Sequence, residues 1–261
     1  MISEQSIPVS VFVIAQDEAD NIERLLKSVK HFAEVIVVDS GSCDATPQIA
    51  ERLGAKVFHQ PWLGYAAQKQ CAMEKCSQDW VLNLDADEVV TDAMRQCIAK
   101  MISRDDIDAV RFKRNDLFIG KMPSSGIKKP DNVRLYRRCK AAFDVKQKVH
   151  ETAIVDGHTE CVDACIDHYG YESIATLADK LNTYSTLKAD EKHSRGKRAS
   201  LLKLMVILPV EFLRKYFLQR LCMFGRRGLI LAAMNAYYAF MKEAKLLEHE
   251  LRESLSPSNK D

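Results

Sequence analysis

Residues 9–15 form a continuous apolar run, V-S-V-F-V-I-A, the pattern of a strand buried on both faces. Over 17–30 the apolar positions change to a helical period, with Ile22, Leu25, Leu26 and Val29 on one face. A second buried strand at 35–38 runs into the polar turn Asp39-Ser40-Gly41-Ser42. Residues 44–53 read as a helix closed by Gly54, 56–59 as a short strand, 65–75 as a helix and 80–84 as a strand ending at Asp85. Strands alternating with helices predict parallel β-α-β units and an α/β sheet. Ligands of such sheets bind beyond the carboxyl ends of strands, where Asp17, Asp39 and Asp85 stand.

The pattern changes after Asp92. Residues 108–113 and 133–137 read as strands around a Gly-, Pro- and Lys-rich loop at 120–131, and 161–168 alternates as a strand. From Tyr171 the chain reads as helix almost to its end, with a polar tail at 254–261. A boundary is expected near Gly170, between 1–170 and a helical region over 171–261.

At 47% hydrophobic and 28% charged, the 261 residues can bury a core. A net charge of +2 implies no polyanionic partner, and so no nucleic acid. Residues 1–10 lack a basic n-region and a small-residue cleavage site, so no leader is expected. The eight cysteines follow no regular framework, which fits free thiols in a reducing cytoplasm. His158, Cys161, Cys165 and His168 invite a zinc reading. On a strand, however, the two cysteines lie roughly 13 Å apart at about 3.3 Å per residue, too far for one ion.

Asp85-Ala86-Asp87 directly follows a buried strand. Two carboxylates at that spacing suit a hard divalent cation bridging phosphates; acidic turns are common, and only the context singles this one out. Asp39 could accept from a nucleobase N–H or a ribose hydroxyl, beside small residues that let a ligand approach the backbone. Asp44 is expected to be structural, capping the next helix.

Four blocks together, V-S-V-F-V-I-A-Q-D-E-A-D-N-I (9–22), E-V-I-V-V-D-S-G-S-C-D-A-T (34–46), G-Y-A-A-Q-K-Q (64–70) and W-V-L-N-L-D-A-D-E (80–88), resemble the family 2 glycosyltransferases. The resemblance implies a GT-A type, Rossmann-like nucleotide-sugar sheet with a C-terminal α-helical extension. It implies donor contacts from Ala15, Gln16, Glu18, Asp39, Lys69 and Asp85. It places Mg2+ or Mn2+ on Asp85 and Asp87. Many members carry Arg-Asn where this chain has Lys69-Gln70, which keeps the charge but loses bidentate geometry. On this resemblance 1–170 is the catalytic domain, 1–92 its nucleotide-sugar half and 93–170 its acceptor half.

R-F-K-R-N-D-L-F-I-G-K (111–121), R-L-Y-R-R (134–138), K-V-H-E (148–151) and D-H-Y-G-Y-E-S (167–173) extend the likeness. They resemble the inner-core heptose β-1,4-glucosyltransferases of lipopolysaccharide synthesis, which implies UDP-glucose as donor and inversion at the anomeric carbon. An acceptor on another surface polysaccharide or lipid carrier is the alternative. A sugar-phosphate nucleotidyltransferase is disfavoured, because the turn Gln16-Asp17-Glu18 is acidic and has no glycine. A non-catalytic scaffold is disfavoured by the intact Asp85, Asp87 and Glu151.

An inverting transfer needs a base for the acceptor hydroxyl. Glu151 is the candidate, with an exposed loop glutamate as the other reading. His168 is a third metal ligand, an acceptor contact or a satisfied structural residue. The stretch 111–138 is basic and suits an acidic inner-core acceptor, with Arg114, Arg134 and His150 as its contacts. Between Arg195 and Arg227 basic residues far outnumber the one acid, Glu211, among apolar runs too short to span a bilayer. That mixture reads as a helix on the anionic cytoplasmic face of the inner membrane, or as a helix packed on the core or in a homo-oligomer.

Overall fold

The apolar run at 9–15 lies in the first strand, β1 (Ile7–Ala15). The computed structural model describes residues 6–145, 152–171 and 173–255. After β1 come α1 (Ala19–Ser28), β2 (Phe32–Asp39), α2 (Thr46–Arg52), β3 (Lys56–His59), α3 (Tyr65–Glu74) and β4 (Trp80–Asp85). Then follow β5 (Glu88–Val90), α4 (Asp92–Met101), β6 (Ala109–Phe118), β7 (Asp131–Arg137), β8 (Ala141–Ala142), β9 (Ile154–Val155) and β10 (Thr159–Tyr171). The chain ends in α5 (Ile174–Ser194), α6 (Leu201–Leu213) and α7 (Gly225–Leu255).

Eight strands form one sheet in the order β3-β2-β1-β4-β7-β6-β10-β5. β1 to β4 run parallel, and β7 joins β4 antiparallel. β1 is buried on both faces, as parallel strands covered by helices are. Val9, Val11 and Val13 pack with Ile22, Leu25 and Leu26 of α1. Phe12 packs on the other face with Ala66, Ala72 and Met73 of α3. The winding passes from β1 outward through β2 to β3, then returns to place β4 on the other side of β1. That reversal opens a crevice at the carboxyl ends of β1 and β4, where ligands of open α/β sheets bind.

The opposite end of the sheet is locked by Glu34 of β2, whose side chain is 5% exposed. It accepts from Ser10 Oγ at 2.5 Å and from Ser77 N at 2.8 Å, and pairs with Lys56 Nζ at 2.7 Å. Burial pushes its carboxyl up, but bonds from Lys56, Ser10 and Ser77 outweigh it and hold the pKa at about 2, below the ordinary 4.5. A depressed carboxyl stabilises the fold above its unfolded pKa, and that contribution is lost as pH falls toward 2. Glu34→Gln is expected to cost about 2 kcal/mol at neutral pH in urea unfolding. The difference from wild type should shrink steadily between pH 4.5 and pH 2; a pH-independent difference contradicts this assignment.

The residues up to Asp116 with Lys129–Gly170 form one compact unit. Leu117–Lys128 and the chain from Tyr171 form another. In the second unit Phe118 and Ile127 bury against Leu177 and Phe224, and Arg227 donates to the Ile119 carbonyl at 2.9 Å. Glu243 of α7, 3% exposed, joins three helices by accepting from Lys192 of α5 at 3.0 Å and Lys203 of α6 at 2.8 Å. The helical region expected from Tyr171 onward divides into separate helices, with Gly196, Arg220 and Gly225 at left-handed φ of 67°, 60° and 60° at the breaks. α6 runs through Pro209 without a break.

Candidate active site

The turns after β1 and β2 are knit together. The Ala15 carbonyl accepts from Ser40 N at 2.9 Å, and Gln16 is exposed. Asp17 takes a left-handed φ of 54°, held by its N–H on Ser42 Oγ at 2.9 Å and by Cys43 N on its Oδ1 at 2.7 Å. Glu18 N donates to Thr46 Oγ1 at 2.8 Å, and Asn21 Nδ2 donates to its carboxylate at 2.9 Å. Asp44 accepts from Ala19 N at 3.0 Å and Thr46 N at 2.9 Å, tying α1 to α2.

Asp39, 4% exposed, ends β2 and folds its own turn. Its Oδ2 accepts from Gly41 N at 2.9 Å and Ser42 N at 3.1 Å. Gly41 has φ of 100°, a conformation only glycine adopts freely, and this lets the backbone return to the carboxylate. Burial pushes the Asp39 carboxyl up, but the Ser42 hydroxyl on Oδ1 at 2.5 Å together with these backbone bonds outweighs it and keeps it below the usual range.

The turn after β4 sits between two buried cations. Lys69 Nζ of α3 lies 3.0 Å from Asp85 Oδ1, and Arg134 Nη2 of β7 lies 2.8 Å from Asp85 Oδ2. The same Arg134 nitrogen lies 2.5 Å from Oε1 of the fully buried Glu88, whose Oε2 accepts from Asp85 N at 3.0 Å. Burial opposes the charge on Asp85, yet Arg134 and Lys69 hold its carboxyl well below the usual range. Glu88 is pushed up by burial. Glu88 therefore closes the Asp85–Glu88 turn, and Arg134 fixes the direction of the Asp85 carboxylate.

Asp87 turns the other way. Its Oδ2 lies 3.2 Å from His168 Nε2. β10 pairs antiparallel with β5 and sets His168 opposite Glu88, which brings the histidine to this turn. His168 Nδ1 lies 2.8 Å from Asp116 Oδ1, and Arg114 Nε lies 2.8 Å from the same oxygen. Burial lowers the His168 pKa, but Asp116 and Asp87 outweigh it and lift it to about 9. Among the described residues no cluster of three or more His, Cys, Asp or Glu side chains is arranged to hold a metal. Asp87 and His168 nonetheless offer a carboxylate and an imidazole within 3.2 Å of each other. Mg2+ or Mn2+ at a nucleotide commonly takes few protein ligands, completing its shell with phosphate and water oxygens. The donor set fits such an ion.

Three cations of the basic stretch 111–138 are paired with carboxylates of the first unit. Arg111 meets Asp131 at 3.1 Å, Lys113 meets Asp163 at 2.5 Å and Arg114 meets Asp116 at 2.8 Å. Arg134 is buried on Asp85 and Glu88, so its charge is turned to the carboxylates of the turn after β4. Glu151 and His150 lie outside the described residues. Glu88, Asp116 and Gly170 were not singled out in the sequence as site residues. The only signal was position: Glu88 follows Asp85-Ala86-Asp87, and Asp116 and Gly170 lie within the blocks 111–121 and 167–173.

Residues 10–164 match the family described as Glycosyl transferase family 2. The lipopolysaccharide core biosynthesis glycosyltransferase LpsC of Rhizobium meliloti is 35% identical over 255 residues, 94% of each chain. Residues 1–349 of S. aureus TarS superpose with a TM-score of 0.51 at 17% identity, covering 95% of this chain and 92% of that one. The mannosyltransferase PcManGT from Pyrobaculum calidifontis, in complex with GDP-Man and Mn2+, gives a TM-score of 0.51 at 15% identity, covering 96% and 76%. The fold is of the GT-A type with a C-terminal helical segment, as the sequence led one to expect.

Proposed function

Because this chain belongs to glycosyl transferase family 2, we propose that it is an inverting hexosyltransferase, moving glucose from UDP-glucose to a heptose of the lipopolysaccharide inner core. The observation that carries the reading is the pair Asp85 and Asp87 at the mouth of β4, beside β1, where the sheet reverses its winding. The likeness to LpsC over 94% of both chains supports the acceptor class. Donor binding falls to the turn at Ala15, Gln16 and Glu18 and to Asp39, Lys69 and Asp85.

The reaction is an in-line displacement. The acceptor oxygen bonds to the anomeric carbon as the bond to the UDP oxygen breaks on the opposite face. The hydroxyl proton passes to a carboxylate, for which Glu151 is the proposed base. Asp87 and His168 would hold Mg2+ or Mn2+, which when bound neutralises charge on the leaving diphosphate; Asp85, expected from the sequence to share the ion, has its two oxygens taken by Lys69 and Arg134. Asp85, kept ionised by Lys69 and Arg134, orients the donor side of the same turn. The test is a screen of UDP-sugars for metal-dependent thermal stabilisation, followed by turnover with truncated lipopolysaccharide cores. Stabilisation and turnover with UDP-glucose and a heptose-terminated core support the reading. Turnover only with another surface glycan or a lipid-linked acceptor replaces it.

The second unit supplies a place to work. No residue of α6 is buried, although it reads L-L-K-L-M-V-I-L-P-V-E-F-L. Leu202 and Met205 are 69% and 72% exposed, and Leu218 is 75% exposed. No helix among the described residues is long and apolar enough to cross a membrane. Exposed Lys197, Arg198, Arg220 and Arg226 flank these apolar residues. A second copy of the same face would meet like charge, whereas an anionic bilayer attracts it. The reading is therefore a peripheral enzyme on the cytoplasmic face of the inner membrane. Each basic residue near such a surface is worth about 1 kcal/mol, or about fivefold in binding. Arg220→Glu with Arg226→Glu is expected to weaken binding to phosphatidylglycerol vesicles by at least about 25-fold at low salt. Equal binding to phosphatidylcholine and phosphatidylglycerol vesicles would count against the assignment.

A further inference from the structure

Asp116 on β6 and His168 on β10 belong to neighbouring strands. The imidazole of His168 is 7% exposed and has a carboxylate at each nitrogen. Asp116 Oδ1 lies 2.8 Å from Nδ1, and Asp87 Oδ2 lies 3.2 Å from Nε2. Behind Asp116 stands Arg114, with Nε 2.8 Å from the same carboxylate oxygen. The ring and the Asp87 carboxylate meet over Gly170. A Cβ at that position would stand 2.6 Å from His168 Nε2 and 2.7 Å from Asp87 Oδ2, closer than real contacts allow.

A histidine ring can turn over and present either nitrogen, because the torsion to a planar ring is broad and nearly two-fold. A carboxylate accepting at Nδ1 removes that freedom and leaves Nε2 facing Asp87, where a bound cation would take the place of the Nε2 proton. Metal-binding histidines are commonly oriented by such an outer carboxylate. We propose that Asp116 is a positioning residue for the divalent cation: it holds His168 so that Nε2 and the Asp87 carboxylate converge on one ion, in the space Gly170 leaves open. This rests on the reading above that transfer uses Mg2+ or Mn2+.

The experiment titrates Mn2+ into the full-length protein with UDP present, by calorimetry and by the Mn2+ electron paramagnetic resonance signal. Asp116→Ala is expected to weaken Mn2+ binding about 10–100-fold, with UDP affinity in EDTA and the thermal midpoint near wild type. Asp116→Asn, whose amide oxygen still accepts from Nδ1, is expected to recover most of the loss. Gly170→Ala keeps every proposed ligand residue but pushes its Cβ into the space between His168 Nε2 and Asp87 Oδ2, and is expected to weaken Mn2+ binding as well. Mn2+ affinity in Asp116→Ala within about twofold of wild type overturns the proposal. So does an equal loss in Asp116→Asn, since charge and not ring orientation would then decide. Where Asp116→Ala does not fold, unchanged affinity in Gly170→Ala overturns it. A wild-type protein that binds UDP but no Mn2+ removes the metal reading and this inference together, a result distinct from failure of the Asp116 variants alone.

Discussion

Asp87→Ala is expected to lower sugar transfer by about 10³-fold or more, on the order of 4 kcal/mol of lost transition-state stabilisation. The carboxylate is the group of the turn after β4 that meets His168, at 3.2 Å. Its removal takes away one of two proposed protein ligands of the ion, while the Asp87 carbonyl keeps its bond from Tyr169 N at 2.9 Å. The fold should therefore persist, with a thermal midpoint close to wild type. UDP affinity separates a metal role from a structural one. With Mn2+ present the variant should bind UDP more weakly than wild type; in EDTA the two should be equal. Full turnover of the wild-type enzyme in EDTA would sink the metal assignment.

The second large effect is expected at Glu151. Glu151→Gln keeps the shape of the side chain and removes its basicity. Turnover should fall by about 10²–10⁴-fold, the usual worth of a general base, with donor affinity nearly unchanged. The chemical reason is geometry: the base must stand across the anomeric carbon from the leaving diphosphate. Asp85 and Asp87, the proposed donor-side carboxylates, follow β4 in the first half of the chain, and Glu151 comes well after them, beyond the basic stretch 111–138. Near-normal turnover of the variant moves the role elsewhere, with Asp131 or Asp144 next in line. Asp131 is already engaged by Arg111 at 3.1 Å, which weakens its case. A large loss of donor affinity would instead place Glu151 in the nucleotide site.

Period and turn chemistry carried much of the fold. Continuous apolar runs marked β1, β2 and β4, because a parallel strand between helices is buried on both faces. A helical period marked α1, and its start moved inward from 17 to Ala19 because Asp17 is held left-handed by Ser42 and Cys43. The ends of β2 and β4 placed Asp39 and Asp85 correctly at strand mouths, since that property is local to the chain. The helical region read from Tyr171 onward is there, but its division into α5, α6 and α7 was not legible, since no periodic signal announced the left-handed Arg220 between α6 and α7.

What each of these side chains faces was not local. Asp87 and His168 meet only because β5 pairs with β10 in one register; a slip of one residue would turn His168 to the other face. Arg134 read as a surface charge for an acidic acceptor, yet β7 lies beside β4 and points it at Asp85 and Glu88. Residues 120–131 read as a loop within 1–170, yet Ile127 there and Phe118 just before it find their apolar partners in Leu177 and Phe224. By itself the sequence determined the reaction class, the family and the carboxylates at the strand mouths, since short-range pattern and motif spacing carry them. Only the tertiary structure decided which cation neutralises Asp85, that Glu88 closes the turn and that Asp116 stands behind His168. Those contacts join strands far apart in the chain, and their geometry is set by sheet order and register, which no local pattern encodes.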